Sequence, residues 1–358
     1  MTNDSTVSDE FNAVTDLARY SRQSRFSGIG IEGQQSIRTK KVLLCGCGAL
    51  GTVLADILTR AGVGLLRIVD RDFVDLSNLQ RQVLFDEQDV KAHLPKAIVA
   101  ANKLAAINSQ VTLEPHVVDI DWRNIREHAQ DVDLILDGTD NFEVRYLLND
   151  VSLETSIPWI YAGCVGSQGQ TMPVFPHETA CLRCVMDTPP EPGSFDTCDT
   201  AGVLASAIHV VTGIQSATAL KILAGRRDLV VPQLTIVDVW RGTFRQVDLA
   251  NLRDRSDCPA CGQGRRDWLH GSHAAQSTVL CGRNSVQISP AFPAELSLAD
   301  LAAKLKTWGI VTQNPYLLRL TIPDPNYEIT VFRDGRAIVQ GTSDVSIARG
   351  LYSRFVGL

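Results

Sequence analysis

Apolar stretches of strand length alternate with stretches of helical periodicity through the first part of the chain. The predicted elements are, in chain order, a helix over about 32–39, strand 42–46, helix 52–61, strand 65–70, helix 95–107, strand 111–117, helix 122–129 and strand 132–137. Strands and helices that alternate in this way predict a parallel sheet with helices on both faces, because each parallel strand needs a crossover connection.

The pattern changes past the last of these strands. Short strands at 158–164 and 169–175, a helix at 201–223 and a hairpin across Arg241-Gly242 predict antiparallel strands that continue the sheet. The predicted fold class is therefore α/β, with a Rossmann-like, mostly parallel sheet continued by antiparallel strands.

The rest of the chain is predicted as a turn-rich linker, residues 250–274, and a small C-terminal α+β domain, residues 277–358. The predicted elements of that domain are strand 277–288, helix 297–308, strand 315–322, a hairpin over Asp334-Gly335 and helix 343–355. Residues 1–19 are predicted to form a flexible N-terminal arm, and residues 20–268 the main domain.

Composition excludes some classes of partner. The chain has 358 residues and a net charge of −6, so it lacks the basic excess that nucleic-acid binding would require. Its first twenty residues have no apolar core of the kind found in signal peptides. Residues 201–223 approach the length of a membrane span, but His209 and Gln215 favour a buried helix. The sequence therefore predicts a cytoplasmic protein that binds neither nucleic acid nor membranes.

A glycine motif follows the first predicted strand. Gly46, Gly48 and Gly51 form G-x-G-x-x-G before a helix, and glycines there let backbone N–H groups approach phosphate oxygens. Asp70 ends the second strand, at the position where an acid binds ribose hydroxyls in such units. The alternatives are that the glycines serve only strand–helix packing and that Asp70 faces water. The motif predicts nucleotide binding.

The residues after Asp70 point to the phosphates of that nucleotide. Asp72, Asn78, Arg81 and Gln82 follow the strand, and an arginine with two amides at this place suits an enzyme that handles a triphosphate. Arg22 and Lys96 lie at other predicted loops or element ends, and Lys96 begins a helix, where a cation opposes the helix dipole. A guanidinium grips two phosphate oxygens and an ammonium acts as a point charge. The alternative for each cation alone is an ordinary surface position.

Two acids follow the strand predicted at 132–137. Asp137 and Asp140 should lie beside the glycine loop, because the carboxyl ends of parallel strands share one edge of the sheet. Asp140 is a candidate ligand of Mg²⁺, or alternatively the N-cap of the following helix.

Four of the nine cysteines form two C-x-x-C pairs, Cys181 with Cys184 and Cys258 with Cys261. Four thiolates predict a closed, structural Zn²⁺ site in a reducing compartment. Cys198 stands apart, just ahead of a long helix, and is a candidate nucleophile or acyl carrier. Its acidic neighbours Asp196 and Asp199 argue against an activated thiol.

Several of these motifs occur together in one known family. They are Tyr20-Ser-Arg-Gln, GCGALG, DRDFVDLSNLQRQ, the LPK ending at Lys96, the LDGTDN containing Asp140, both C-x-x-C pairs, and the TCDTAGV containing Cys198. Over residues 20 to about 268 the chain resembles the ubiquitin-activating-like adenylyltransferases of sulfur-carrier pathways, the MoeB/ThiF type that acts in molybdopterin and thiamine biosynthesis.

The resemblance implies a reaction. The C-terminal carboxylate of a ubiquitin-like sulfur-carrier protein ending in Gly-Gly attacks the α-phosphate of ATP and releases pyrophosphate. Asp70 would bind the ribose, and Asn78, Arg81, Gln82 and Lys96 the phosphates, with Asp140 acting through Mg²⁺. Fixed cations suit this chemistry, because charge builds on the departing pyrophosphate.

The resemblance also implies partners and a second subunit. The enzyme would be a homodimer in which Arg22 reaches the site of the partner subunit. The paired cysteines would bind Zn²⁺, and Cys198 would match a loop cysteine that carries thio-linked intermediates in some members. A sulfurtransferase or a cysteine desulfurase would be a further partner.

Two other functions use the same glycine loop. A nicotinamide- or flavin-dependent oxidoreductase would leave Arg22, Arg81, Lys96 and Asp140 without a role. A non-catalytic, nucleotide-binding scaffold would use the C-terminal unit for docking. That unit lacks the loop of a rhodanese-like sulfurtransferase, since Cys281 is followed by Gly-Arg-Asn in a strand-like run.

Overall fold

The computed structural model describes residues 17–189, 201–253, 257–272, 277–280, 284–290 and 295–357. Its larger sheet has eight strands in the order β3-β2-β1-β4-β5-β6-β7-β8. These strands are β1 Lys41–Cys45, β2 Leu65–Val69, β3 Thr112–His116, β4 Leu134–Asp137, β5 Trp159–Val165, β6 Gln168–Val174, β7 Gln233–Asp238 and β8 Thr243–Asp248. The strands from β3 to β5 pair in parallel and those from β5 to β8 pair antiparallel. The predicted fold class is confirmed.

Helices cover both faces of the parallel half. Those in the described residues 17–189 and 201–223 are α1 Ser21–Ser24, α2 Gly30–Thr39, α3 Ala49–Ala61, α4 Glu87–Ala92, α5 Lys96–Ile107, α6 Ile125–His128, α7 Phe142–Thr155, α8 Leu182–Val185 and α9 Ala205–Leu223. Side chains from α2, α3, α5 and α9 form one buried cluster with β1, β2 and β4, and side chains from α6 and α7 form another on the opposite face. The parallel half is therefore a three-layer core.

Two helices in this half differ from the prediction. Helix α3 begins at Ala49, three residues before the predicted start, because Gly48 is its N-cap. The helix predicted at 122–129 is a single turn, Ile125–His128. The earlier start of α3 brings its first backbone N–H groups next to the glycine loop.

The C-terminal unit contains a second sheet, in the order β11-β12-β13-β14-β10-β9. Its elements are β9 Ser277–Leu280, β10 Ser285–Ile288, α10 Leu298–Leu305, β11 Ile310–Gln313, β12 Leu317–Ile322, β13 Tyr327–Phe332, β14 Ala337–Gln340 and α11 Val345–Phe355. The sheet is antiparallel, and α10 and α11 bury the apolar side chains of one of its faces.

Two predictions for this unit are wrong. The single strand predicted at 277–288 is a pair of antiparallel strands, β9 and β10, and Asn284 between them adopts a positive φ of 43°. The helix predicted at 297–308 ends at Leu305, and the following residues enter β11, which was not predicted. The hairpin across Asp334-Gly335 is present as β13 and β14.

The segment predicted as a linker is largely part of the main core. Ala260 and Leu269 are fully buried and pack, with Cys258, in the cluster that contains α7. The linker prediction is wrong there, because these side chains have their packing partners in the main sheet unit. The bounds of the arm at 1–19 and of the domains at 20–268 and 277–358 remain predictions.

Helix α9 is not a membrane span. No helix in the described part of the chain has both the length and the apolarity to cross a membrane. The amide of the buried Gln215 in α9 donates hydrogen bonds to the backbone oxygens of Asp137 and Ile160, at 2.9 and 3.2 Å. Its polar residues thus serve packing against the sheet.

Candidate functional site

The glycine loop is held by direct backbone contact. Gly46 has a φ of +85°, and its N–H donates to the backbone oxygen of Val69 at 2.8 Å. A Cβ atom at Gly51 would lie 2.0 Å from the carbonyl oxygen of Gly46, and one at Gly138 would lie 2.6 Å from the same oxygen. Only glycine therefore lets β1, α3 and the end of β4 approach one another at this point.

Asp70 is bonded to the backbone on both of its oxygens. Its Oδ2 accepts the N–H of Cys47 at 2.6 Å, and its Oδ1 accepts the N–H of Asp72 at 2.7 Å. Burial raises the pKa of Asp70, and the nearby ammonium of Lys96 opposes that shift. Each carboxylate oxygen has a second lone pair, so this arrangement leaves room to accept ribose hydroxyls.

Asp72 links the glycine-loop side of the site to the start of α5. Its Oδ2 lies 3.1 Å from Nζ of Lys96, and its backbone oxygen accepts the N–H of Lys96 at 2.9 Å. The Lys96 side chain is 3% exposed. The carboxylate of Asp72 thus compensates a cation that the N-terminus of α5 would otherwise disfavour.

The amides Asn78 and Gln82 lie in the turn after β2, and both are buried. Oδ1 of Asn78 accepts the N–H of Asp75 and so caps the short 3₁₀ turn Leu76–Asn78. A Cβ at Gly48 would lie 3.8 Å from Nε2 of Gln82, which places that amide against the loop. Nδ2 of Asn78 and Oε1 of Gln82 have no hydrogen-bond partner among the described residues.

The side chain of Arg81 folds back onto this turn. Its Nη1 donates to the backbone oxygen of Ser77 at 2.8 Å. The structure therefore places Arg81 near the two amides, without aiming its guanidinium at the glycine loop.

Asp137 and Asp140 have different environments. Asp137 is fully buried: its Oδ1 accepts from Thr139, its Oδ2 lies 3.2 Å from Nε of Arg145, and burial raises its pKa. Asp140 is exposed. The alternative that Asp140 caps α7 is wrong, because Asn141 is the N-cap and accepts the N–H of Glu143 at 2.8 Å.

Arg22 is far from the glycine loop of its own chain. Its neighbour Gln23 donates to the backbone oxygen of Ala61 at 3.1 Å, and the ring of Tyr20 packs against Gly62. These contacts place α1 at the C-terminal end of α3, whose N-terminal end carries the loop. A helix of 13 residues spans about 18 Å, which separates Arg22 from the site.

The two cysteine pairs form one cluster. The ligand atoms of Cys181, Cys184, Cys258 and Cys261 lie within 4.8 Å of one another. Sγ of Cys181 lies 3.8 Å from Sγ of Cys184 and 3.7 Å from Sγ of Cys258. The Sγ atoms of Cys184 and Cys261 are 3.3 Å apart. This four-cysteine cluster can hold a metal ion. Cys198 lies outside the described residues, as does Cys281.

Sequence reasoning missed two cations at this edge of the sheet. Arg71 lies between Asp70 and Asp72 and forms an ion pair with Asp119 at 3.0 Å. Arg145 is 6% exposed and joins Asp137 to the backbone oxygen of Thr139. The DRD triplet was a signal for Arg71, whereas Arg145 sits within a helix that carries no motif.

Several known proteins are similar to this chain. The ThiF family model matches residues 20–260. The sulfur carrier protein ThiS adenylyltransferase of Bacillus subtilis is 41% identical over 340 residues, covering 95% of this chain and 99% of that protein. The SAMP-activating enzyme E1 of Haloferax volcanii is 37% identical over 267 residues, covering 75% and 97%.

Two further similarities cover less of the molecule. The adenylyltransferase and sulfurtransferase MOCS3 of Danio rerio is 35% identical, covering 69% of this chain and 53% of that protein. A crystal structure of Escherichia coli MccB with ATP shares the fold, with a TM-score of 0.60, 22% identity and coverage of 68% and 74%. The family predicted from the motifs is confirmed: the chain belongs to the ThiF family.

Proposed function

We propose that this chain is an adenylyltransferase that uses ATP to adenylate the C-terminal carboxylate of a ubiquitin-like sulfur-carrier protein ending in Gly-Gly, with release of pyrophosphate. One observation carries the proposal: the continuous connection from the glycine loop through Asp70 and Asp72 to the buried ammonium of Lys96. A fixed cation close to the glycine loop supports phosphoryl chemistry there. The relatives named as sulfur-carrier adenylyltransferases support the same reaction.

Roles follow for the residues around the loop. The N-terminus of α3 faces the phosphates, and Asp70 binds the ribose. Lys96 stabilises the charge that builds on the phosphates, with Asp72 holding its ammonium. Asn78 and Gln82 each keep a buried polar atom without a partner in the described chain, which suits hydrogen bonds to nucleotide. The guanidinium of Arg81 would bind the phosphates once its hydrogen bond to the backbone oxygen of Ser77 is broken.

Mg²⁺ would be bound through Asp140. Its carboxylate is exposed at the carboxyl end of β4, whereas the neighbouring Asp137 is fully buried and paired with Arg145. An oxygen ligand open to solvent fits a cation that keeps several of its waters. When bound, the ion would neutralise charge on the phosphate oxygens.

The position of Arg22 supports a homodimer. Helix α1, which carries Arg22, packs at the end of α3 that is remote from the glycine loop, so Arg22 would act on the site of a second chain. Exposed apolar side chains at Val210 of α9 and Phe244 of β8 offer surface for a second subunit.

Zn²⁺ is the ion proposed for the cysteine cluster. A tetrahedron of Zn–S bonds of about 2.3 Å has sulfur atoms about 3.8 Å apart. The spacings of Cys181 from Cys184 and Cys258, 3.8 and 3.7 Å, match this value, and that of Cys184 from Cys261, 3.3 Å, is shorter. Four protein ligands leave no open coordination position, so the ion would be structural.

Cys198 and the downstream partner follow from the reaction. We place Cys198 after adenylation, where its thiol would attack the carbonyl carbon of the acyl-adenylate, form a thioester with the carrier and release AMP, and where a sulfurtransferase or cysteine desulfurase would supply the sulfur. Thiamine biosynthesis is favoured over molybdopterin biosynthesis, because the ThiS-related protein matches 95% of this chain, including the C-terminal unit. A cytoplasmic location fits such a pathway.

Pyrophosphate exchange tests the proposed reaction. Labelled pyrophosphate should enter ATP only when a carrier ending in Gly-Gly is present, and the same carrier without its last two glycines is the matched control. No exchange with any carrier ending in Gly-Gly would refute the proposal. Binding of NAD or a flavin in preference to ATP would support the oxidoreductase alternative, and ATP binding without exchange would support the scaffold.

A further inference from the structure

The C-terminal sheet has one face that α10 and α11 do not cover. Side chains of this face contact the end of β2 and the end of β3 in the main sheet unit. Leu317, Phe332 and Ile338 form a small apolar cluster with Phe73 and Val117. The guanidinium of Arg319 lies 4.8 Å from the centre of the Phe73 ring.

Two buried polar side chains of this face reach the neighbours of Asp72. Nη2 of Arg336 donates to the backbone oxygen of Arg71 at 2.9 Å. Nε2 of Gln287 donates to Oδ2 of Asp119, the carboxylate that pairs with Arg71. Arg336 is 2% exposed and Gln287 is 3% exposed. The C-terminal unit therefore holds the backbone of Arg71 and the carboxylate of Asp119, the two residues of this ion pair.

Arg71 adjoins the Asp72–Lys96 pair, and Asp72 is linked to the glycine loop through Asp70. Nε of Arg71 lies 3.8 Å from Oδ1 of Asp72, and Asp72 binds both the N–H and the ammonium of Lys96. Phe73, which packs under Arg319, pairs in a β-bridge with Pro95, the residue before Lys96. Both sets of contacts, through Asp72 to Lys96 and through Phe73 to Pro95, end at the start of α5.

Arg336 is only partly satisfied by the contacts within its own unit. Its guanidinium lies 3.8 Å from the ring centre of Phe332 and 3.6 Å from a carboxylate oxygen of Asp334, and Nε and Nη1 have no hydrogen-bond partner among the described residues. Leaving such groups unbonded costs free energy, so a purely structural contact would be better made by an apolar side chain. The hydrogen bond to Arg71 is the specific interaction that this position provides.

We infer that Arg336 and Gln287 are positioning residues of the nucleotide site: by holding Arg71 and Asp119, the C-terminal unit fixes Asp72 and, through it, the ammonium of Lys96. The inference deepens the proposed function and rests on it for the role of Lys96. The C-terminal unit then acts neither as a second catalyst nor as an independent docking module, but as the outer support of the ATP site.

Amide hydrogen exchange and ATP affinity test this inference in the full chain. Arg336→Met removes the hydrogen bond but keeps an apolar stem over Phe332, and Gln287→Met removes the second donor. Arg354→Met is the matched control, because Arg354 stacks on Trp308 in the same unit, at 4.6 Å, away from Arg71. Arg336→Lys retains a cationic donor and should rescue in part.

The expected result is local. Arg336→Met should raise the exchange rates of the Asp72 and Lys96 amides about tenfold and weaken ATP binding about three- to tenfold, as the loss of one charged hydrogen bond predicts. Gln287→Met should act in the same direction and Arg354→Met should change neither quantity. The Michaelis constant for ATP should rise more than the maximal rate falls.

Other outcomes would overturn the inference. It fails if Arg336→Met and Gln287→Met leave both amides and the ATP affinity unchanged, or if Arg354→Met has the same effect as Arg336→Met. If Arg336→Met unfolds the C-terminal unit, the amide exchange rates and the ATP affinity of Gln287→Met decide whether the inference holds. The amide measurement needs neither nucleotide nor carrier, so it decides the positioning role even where a lack of pyrophosphate exchange has refuted the proposed function.

Discussion

Lys96 donates two hydrogen bonds to Asp72, one from its backbone N–H at 2.9 Å and one from its ammonium at 3.1 Å. The first residue of α5 and the loop after β2 are thereby fixed to each other. Because the same Asp72 donates its N–H to Asp70, the ammonium has a defined position relative to the glycine loop.

Substitution of Lys96 should remove catalysis with little loss of structure. Lys96→Met should lower the rate of pyrophosphate exchange by about a hundredfold or more, because a fixed cation at the phosphates is lost. Lys103→Met is the matched control, since Lys103 lies in the same helix and pairs with Asp86 and Asp89. Equal exchange rates in Lys96→Met and the wild type would exclude a role for Lys96 in catalysis.

Substitution of Asp140 should act through the divalent cation. Asp140→Asn should lower exchange about a hundredfold and raise the Mg²⁺ concentration needed for half-maximal rate, while the melting temperature stays unchanged because Asn141 remains the cap of α7. Asp131→Asn, at an exposed position between α6 and β4, should leave the rate unchanged. An unaltered Mg²⁺ dependence in Asp140→Asn would remove Asp140 from the proposed cation site.

A mixture of two inactive variants tests whether Arg22 acts in the partner subunit. In a mixed dimer of Arg22→Ala and Lys96→Met, the site of the first chain keeps Lys96 and receives Arg22 from the second chain. With random pairing, about a quarter of wild-type activity should return. A mixture of Asp140→Asn and Lys96→Met should recover none, because each site keeps one defect. No recovery in the first mixture would show that Arg22 does not act across a dimer.

The cysteine cluster predicts a metal that is needed for folding but not for chemistry. Cys261→Ser should abolish stoichiometric zinc and lower the free energy of unfolding by about 3 kcal/mol or more, since structural zinc binding is coupled to folding. Cys164→Ser, outside the cluster, should keep one zinc per chain. Metal analysis and urea unfolding measure both effects, and a Cys261→Ser protein with full zinc content would contradict the assignment.

The free energy of unfolding should depend on pH through the buried carboxyl group of Asp150. Its Oδ2 accepts the N–H groups of Trp268 and Leu269, and burial raises its pKa from 3.8 to about 6. The folded chain therefore binds this proton more tightly than the unfolded chain does, so the contribution of Asp150 to stability falls as the pH rises from about 4 to about 6. The loss amounts to at most about 3 kcal/mol.

Asp150→Asn isolates that contribution, because an amide oxygen still accepts both hydrogen bonds. The free energy of unfolding of the wild type minus that of the variant should decrease between pH 4.5 and pH 7.5 in urea titrations. Thiol protonation at low pH affects both proteins equally and cancels in the difference. A difference that is constant with pH would show that the pKa of Asp150 is not raised.

The parallel half of the fold was predictable because its signals are local. Apolar runs bounded by glycine and acidic residues predicted β1, β2 and β4. The spacing of Gly46, Gly51 and Asp70 predicted the glycine loop at the end of β1. The four cysteines were likewise predictable as a group, since paired thiols have few other uses in such a chain.

The features that were not predicted depend mainly on contacts between residues distant in sequence. The split of 277–288 into β9 and β10 depends on pairing across a turn that periodicity alone does not mark. Arg336 and Arg71 are 265 residues apart, so no spacing rule links them. The direction of Arg81 could not be predicted either, because a side chain near a loop can point into it or fold back onto Ser77.

The backbone contact among Gly46, Gly51 and Gly138 limits how this site can change during evolution. An added methyl group at Gly51 would meet a carbonyl oxygen at 2.0 Å, and no side-chain rotation relieves a clash with backbone. A single substitution at one of these glycines must displace a strand or a helix, so the loop cannot change one side chain at a time without disturbing the fold. If the proposed function holds, a change of nucleotide preference would have to arise from side-chain substitutions, at Asp70 or in the turn after β2, and not from the glycines.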